Sequence, residues 1–282
     1  MKKYHNYPEN WEKMRWGVEQ RLEFIDYKLY WEGEINRRDL GKTFGISNPQ
    51  ASADISKYIE MAPMNIDYDR SAKCYFATPN FKPILIKPNA EHYLYQLSLD
   101  TELIHKKDSI IGILELPERQ IESEILRKIV NAIRNRKGLK IEYQSMSRPE
   151  STLRWITPHA FGFDGLRWHV RSYCHIDDKF KDFHLGRIIS IIDTKNHDIE
   201  VSSDKKWHQF ITVKIGPHPG LTDGQKKIIE RDYGMKDGIA RIKVRAAFVH
   251  YLICMLRLEK GDLERPPRSQ QIVLLNREEV EK

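Results

Sequence analysis

Two groups of residues in this 282-residue sequence have the types and spacing to recognise bases and phosphates. The first lies around residues 48–57. Ala51, Ile55 and Ile59 recur every four residues, so a helix that buries them turns Gln50, Ala53, Ser56 and Lys57 outward. Asn48, Ser52 and Asp54 flank that face. Asn48 and Gln50 can reach base edges in a major groove, Ser52 and Ser56 can contact bases or phosphates, and Lys57 neutralises a phosphate. Arg70 and Lys73, in the run Tyr68-Asp69-Arg70-Ser71-Ala72-Lys73-Cys74-Tyr75, are placed to touch backbone or minor groove. The second group is built on a strand over Leu166–Cys174. Alternation puts His169, Arg171 and Tyr173 on one face and Trp168, Val170 and Ser172 on the other. Arg154, His159 and Arg187 are expected to converge on the first face, with Tyr143 and Ser145 beside them. Such a donor-rich set suits a phosphate-bearing ligand, a nucleotide or oligonucleotide. On this reading Arg171→Ala abolishes the response to an effector and leaves DNA binding intact. The Trp168 ring is expected in the core, where large aromatics of small β domains usually sit.

Other chemistries lack their residues. No Gly-x-Ser-x-Gly and no Gly-rich phosphate loop occurs. Cys174 and His175 are neighbours, and neighbours on a strand point apart, which argues against a thiol nucleophile. Glu142 and Asp164 form no readable carboxylate pair. His169, His175 and His184 lack metal-ligand spacing. No catalytic residue, metal or cofactor is therefore assigned, and the chain is read as a non-enzyme. Cys74, Cys174 and Cys254 are far apart with no Cys-x-x-Cys pair, as expected of structural thiols in a reducing cytosol. Lys2 and Lys3 precede a polar stretch rather than an apolar one, so no secretory signal is expected. The longest apolar run, Phe248–Leu258, is broken by His250 and Arg257, so no membrane partner is expected and the location is read as cytoplasmic. The net charge is +7, and residues 119–195 hold 15 basic against 9 acidic side chains, which favours an anionic partner.

The elements that position these residues can be read from periodicity and punctuation. Trp11, Met14, Val18, Leu22, Ile25 and Leu29 draw one stripe on a first helix, with Pro8 in its first turn and Gly33 at its stop. Asn36 and Asp39 cap a second, short helix carrying Leu40 and Phe44 inward and stopping at Gly45. Ser47 or Asn48 caps the third, with Pro49 in its first turn. With the basic hairpin that follows, the order is that of a winged helix-turn-helix over 1–90. Residues 91–118 read as a connector, with a short helix at Ala90–Leu99 and a strand at Ser109–Leu116. Pro117–Lys137 reads as a helix with Ile121, Ile125, Ile129 and Ile133 at four-residue spacing and Gly138 at its stop. Strands follow at Leu139–Tyr143, Thr152–Ile156, Leu166–Cys174, Phe180–Leu185 and Ile188–Asp193, with Asp164-Gly165 as a hairpin signal. Several short strands after one helix imply a small, bent sheet or barrel over 119–195. Residues 196–282 read as a small α+β module: strand Phe210–Ile215, helix Thr222–Tyr233, strand Ile239–Phe248, helix Val249–Arg257.

Tyr143, Pro158-His159, Trp168-His169-Val170 and Phe183-His184-Leu185-Gly186-Arg187-Ile188 resemble the WYL domain. Most members carry Trp-Tyr-Leu where this sequence has Trp168-His169-Val170. Asp39-Leu40, Phe44-Gly45-Ile46-Ser47, Gln50-Ala51-Ser52, Asp54-Ile55 and the wing residues extend the resemblance. Leu221-Thr222, Gln225 and Asp232-Tyr233-Gly234-Met235 carry it to the C-terminal part. The whole is similar to WYL-domain transcriptional regulators encoded beside bacterial anti-phage defence operons, the group that includes BrxR and CapW. The resemblance implies an α+β chain whose central domain is an Sm-like β-barrel acting as a sensor. It further implies a C-terminal dimerisation module, and a homodimer that represses its defence operon by binding inverted repeats in double-stranded DNA. An alternative is an RNA- or single-strand-binding adaptor that stacks bases on Tyr143, Trp155, Phe161 and Tyr173 of the central domain.

Overall fold

Short caps and small apolar stripes set the first unit. In the computed structural model, residues 16–99, 109, 111–114, 117, 119–197 and 199–280 are described. They fall into two units, 1–116 and 117–282. Helix α1 (Trp16–Glu32) buries Leu22, Ile25 and Leu29. Pro8, Trp11 and Met14 of the expected stripe lie outside the described residues. After strand β1 (Glu34–Ile35) comes α2 (Arg37–Phe44), whose Asn36–Asp39 capping box forms as expected. It stops at Gly45, whose φ of 64° is left-handed backbone that favours glycine. Ser47 caps α3 (Asn48–Met61), with Pro49 in the first turn. Ala51 and Ile55 are fully buried; Tyr58, rather than Ile59, completes the buried face. Strands β2 (Ile66–Asp69) and β3 (Cys74–Ala77) form the wing, and the small sheet runs β1-β3-β2.

The proline-rich stretch after the wing is held by one buried carboxylate. Asp26 accepts the backbone N–H groups of Ile84, Leu85 and Ile86 at 3.0, 2.8 and 3.0 Å, and the Tyr58 hydroxyl. These bonds satisfy donors that a chain broken by Pro79, Pro83 and Pro88 cannot pair in a ladder. Helix α4 (Ala90–Leu99) forms as expected, and Tyr93 stacks on Trp31 of α1 with centroids 4.6 Å apart. The described residues of Ser109–Leu116 are not strand.

In the second unit α5 (Ser123–Asn135) is shorter than Pro117–Lys137. It ends on Arg136 in left-handed backbone. Gly138 is not its stop. It lies inside β4 (Lys137–Tyr143), where a Cβ would stand 2.1 Å from the His197 ring, so the glycine answers a close approach. Strands β5 (Thr152–Phe163), β6 (Trp168–Cys174), β7 (Lys179–His184) and β8 (Ile188–Asn196) complete an antiparallel sheet ordered β7-β6-β5-β4-β8. The expected Sm-like barrel is not found: β7 and β8 are open edges, with no pairing between them among the described residues. The sheet is instead an open one whose core residues Ile141, Ile156 and Val170 pack with Ile125 and Ile129 of α5. Strand β5 outruns Thr152–Ile156 because Pro158 sits beside a bulge, where a missing N–H breaks no ladder bond.

The C-terminal part follows within the same unit. Helix α6 (Lys205–His208) is capped by Asp204. Strand β9 (Phe210–Pro217), α7 (Asp223–Asp232), β10 (Ala240–Arg245), α8 (Val249–Met255), β11 (Ile272–Leu274) and α9 (Arg277–Val280) follow. Thr222 and Gln225 form a capping box on α7. The expected strand Ile239–Phe248 ends at Arg245, and 246–248 turn into α8. The sheet order is β10-β9-β11. Strand β11 was not expected.

Candidate nucleic-acid interface and ligand pocket

The face of α3 is aimed by one buried ion pair. Asp54, expected on the flank of that face, is 2% exposed. It takes the Arg21 guanidinium of α1, with Nε 2.6 Å from Oδ2 and Nη2 3.3 Å from Oδ1. Gln50 Nε2 donates to the same carboxylate at 3.1 Å. Asn48, Gln50 and Ser56 are exposed, and Ser52 and Lys57 are half-buried. At the wing, Asp69 accepts the N–H groups of Ser71 and Ala72 at 2.7 and 3.1 Å, a side-chain turn that presents Arg70 and Lys73 at the tip. Both are exposed, and neither forms an ion pair among the described residues. All seven residues expected to meet DNA thus belong to one unit.

The eight residues expected to meet a ligand divide into two sets. Tyr143, Ser145, Arg154 and Arg187 line a cavity of about 380 Å³, joined by Arg148, Lys181 and His184, which the sequence reading missed. Two carboxylates, Asp177 and Asp182, face four cationic side chains there. Arg148 belongs to the turn between β4 and β5, which showed only as a turn; Lys181 and His184 lie on β7. The Arg154 guanidinium lies over the rings of Tyr143 and Phe183 at 5.6 and 5.9 Å, and its Nε is buried with no partner. Arg187 forms no ion pair among the described residues. The cavity therefore offers unpaired donors and a positive field, which suits an anion.

His159, His169, Arg171 and Tyr173 do not line this cavity, and the donor-rich solvent face expected for them is corrected. The strand is covered on both sides. Val170, Ser172 and Cys174 are fully buried on one side; on the other, His169 meets Tyr251 and Arg171 meets Asp204, while Tyr173 stays half-buried. His169 is 1% exposed and bonds Asp164 through Nε2 at 2.8 Å. Burial alone would raise the Asp164 carboxyl; the His169 bond and the N–H groups of Leu166 and Arg167 outweigh it and hold it well below the usual range. Arg171 grips Asp204 with Nε and Nη2 at 2.7 and 2.9 Å and reaches Asp182 with Nη1 at 3.2 Å. His159 is the extra residue of the β5 bulge and turns its Nε2 to Asp204 at 3.0 Å. The Tyr173 hydroxyl donates to Asp178. Trp168 is corrected too: it is 49% exposed at the end of its strand, beside Phe163. Asp182 belongs to both sets. It faces the cavity while Arg171 and the Tyr251 hydroxyl hold it, the latter at 3.2 Å.

His184 gives the cavity a pH signature. Burial, then the neighbouring His169, Arg187 and Arg167, push its pKa down to about 4, against the opposing pull of Asp164. Below about 6.5 the unfolded chain takes up a proton that the folded chain refuses until about pH 4. The His184 contribution to stability should therefore fall as pH drops through that window and level off beneath it. Thermal midpoints measured from pH 7.5 to 3.5 should show a shallower fall for His184→Gln. The slope left over belongs to His159, His175 and His197, which burial also lowers, and at the acid end to Asp164, Asp177 and Asp204, whose carboxyls are held low. Identical profiles for variant and wild type would contradict the assignment.

Among the described residues no group of His, Cys, Asp and Glu is arranged to hold a metal, and no helix is long and apolar enough to cross a membrane. Three family descriptions match the chain. These are the BrxR transcriptional regulator winged helix-turn-helix domain over residues 17–99, the WYL domain over 124–192, and the BrxR C-terminal dimerization domain over 210–280. A DNA-binding transcriptional repressor CapW of Stenotrophomonas maltophilia is 40% identical over 280 residues, 95% of this chain and 92% of that protein. Repressors of the same name from Escherichia coli (strain KTE188) and Pseudomonas aeruginosa are each 38% identical over 275 residues, 94% of this chain and 91% of theirs. A solved structure, proteasome accessory factor B/C of Arthrobacter aurescens, aligns at 14% identity with a TM-score of 0.27; the match covers 92% of this chain and 46% of that one.

Proposed function

The chain belongs to the CapW family of DNA-binding transcriptional repressors, and from that premise we propose a homodimer that holds its operator through α3 and the wing and releases it when an anion fills the WYL cavity. The observation that supports DNA binding best is the α3 face: polar and solvent-facing outward, apolar inward, and locked to α1 by Arg21 and Asp54. A two-fold dimer presents two such faces, so the operator would be an inverted repeat with half-sites about one helical turn apart, roughly 34–36 Å, or a multiple. Asn48, Gln50 and Ser52 read base edges, while Ser56, Lys57, Arg70 and Lys73 fix the register on phosphates.

The cavity supports the second half of the proposal. Arg148, Arg154, Lys181 and Arg187 suit a nucleotide or a short oligonucleotide. A phosphate beside neutral His184 would favour its protonation, so binding would take up a proton. The ligand shifts the dimer only if it binds the released state more tightly than the DNA-bound one. By the resemblance to regulators of defence operons, the genes it controls would be phage-defence genes. The single-strand adaptor reading loses support at the central domain, because Trp155 is packed against His197 at 5.4 Å and Lys195 at 4.1 Å.

A reporter fused to the DNA upstream of the gene tests both halves. Wild-type protein should repress it, and phage infection should lift that repression. Arg187→Ala should repress as well as wild type and stay repressing after infection. Equal induction of variant and wild type would remove the cavity from the mechanism.

A further inference from the structure

The C-terminal sheet buries one face, and among the described residues the other stays largely exposed. Val213, Ile215, Ile242 and Val244 belong to the core that also holds Ile229 of α7 and Val249 and Ile253 of α8. Alternation then turns Phe210, Thr212 and Lys214 of β9 and Arg241, Lys243 and Arg245 of β10 to the opposite side. The register sets Arg241 across from Lys214, Lys243 across from Thr212, and Arg245 across from Phe210. Arg241 and Lys243 are exposed and form no ion pair among the described residues. Lys214 meets Glu279, with Nζ 3.4 Å from Oε2. The Arg245 guanidinium lies over two rings, 4.6 Å from the Trp207 centroid and 4.8 Å from that of Phe210, and donates to the Trp207 carbonyl. Lys243 Nζ lies 5.1 Å from the Phe210 centroid, and Phe210 remains 48% exposed.

From this face we infer a second nucleic-acid site, distinct from α3 and from the WYL cavity, that takes a single strand. Glu279 answers Lys214, but Arg241 and Lys243 have no acidic partner among the described residues, and an anion on the face would supply one. Lysine on an edge strand such as β10 protects against edge-to-edge pairing, but that role does not call for an arginine lying over two aromatic rings. Arg241 and Lys243 stand roughly 6.8 Å apart along the strand, a separation that suits successive phosphates of an extended chain. Phe210 is 48% exposed, so a base can stack on it by displacing the mobile Lys243 ammonium. Cationic grooves interleaved with aromatics are what proteins use on single strands, whereas the bases of a duplex are closed to Phe210. A second copy of this chain is a poor occupant, because two-fold pairing would set the same cations against one another.

The test uses the full-length dimer and fluorescein-labelled dT12, read by anisotropy across a salt series, with the operator duplex in parallel. Arg241→Gln/Lys243→Gln should weaken dT12 binding at least tenfold and reduce the salt slope by roughly 1.4, the share of two phosphates on a single strand. Operator affinity should not change. Phe210→Ala should weaken dT12 several-fold with the salt slope intact, separating stacking from charge. Arg187→Ala, in the WYL cavity, should leave the Phe210-dependent part of dT12 binding unchanged. Unchanged dT12 affinity in the double variant would overturn the inference. So would an equal loss of operator duplex, which would make the face a duplex contact, or dissociation of the variant dimer by light scattering, which would make it a self-association surface.

Discussion

Arg171→Ala should destabilise the second unit by about 3–5 kcal/mol, the cost of removing one partner from a buried charge cluster. The guanidinium is the only cation that touches both Asp204 and Asp182 among the described residues, and Asp204 is 2% exposed. Without it, Asp204 keeps the His159 bond and the Trp207 N–H, which are too few donors for a buried carboxylate. Arg171→Lys should recover only part of the loss, because an ammonium cannot make the forked contact to Asp204 and the reach to Asp182 together. Arg171→Ala/Asp204→Ala should lose less than the sum of the two single changes, since each alone strands the other's charge. Urea unfolding midpoints measure all of these. A wild-type midpoint for Arg171→Ala would mean that the cluster does not carry the packing of 204–251 on the WYL sheet. The variant is thus a structural lesion, and the sequence-based expectation that it would affect the effector response alone does not fit its place in the fold.

On the DNA side the largest effect should come from α3. On the proposed reading the Gln50 amide leaves Asp54 for a base edge when DNA binds, so Gln50→Ala removes a contact of about 1–3 kcal/mol at each half-site. In a two-fold complex both half-sites lose it, so operator affinity should drop by roughly 2–6 kcal/mol, at least about 30-fold at 1.4 kcal/mol per decade. Discrimination against a substituted base at that position should relax with it. Lys57→Ala should act differently: it should weaken every duplex alike and lower the salt slope by about 1.8 for the dimer, one phosphate per protomer. The two variants separate readout from neutralisation on the same helix. Equal losses on operator and scrambled duplex for Gln50→Ala would place that amide off the bases.

The parts of the fold visible in the sequence were those written in local chemistry. Asn36 with Asp39, Ser47 with Pro49, and Thr222 alone each name a helix start, because a cap is decided within four residues. Alternation placed most strands, and it put His169 and Arg171 on the same face. What alternation cannot say is what covers that face, and here Asp204, Trp207 and Tyr251 from far along the chain do so. The missing acid partners made Arg171 look free. The same long-range blindness hid Asp54 as the partner of Arg21, misread Gly138 as a helix stop when it makes room for His197, and put the Trp168 ring inside. Strand β11 is three residues long and lacks a pattern of its own. The cavity was half legible: Arg154 and Arg187 stood out as cations near a motif, but Arg148 looked like ordinary turn chemistry.

The most direct test of DNA-specific repression is fluorescence anisotropy of the purified protein across a salt series. The probes are duplex DNA from upstream of its gene, a scrambled duplex, and one strand of the upstream sequence. Binding to the upstream duplex far tighter than to either other probe, persisting near 0.15 M salt with two protomers per duplex, is the expected result. Equal and steeply salt-dependent binding to all three would contradict it, because charge alone would then account for the affinity.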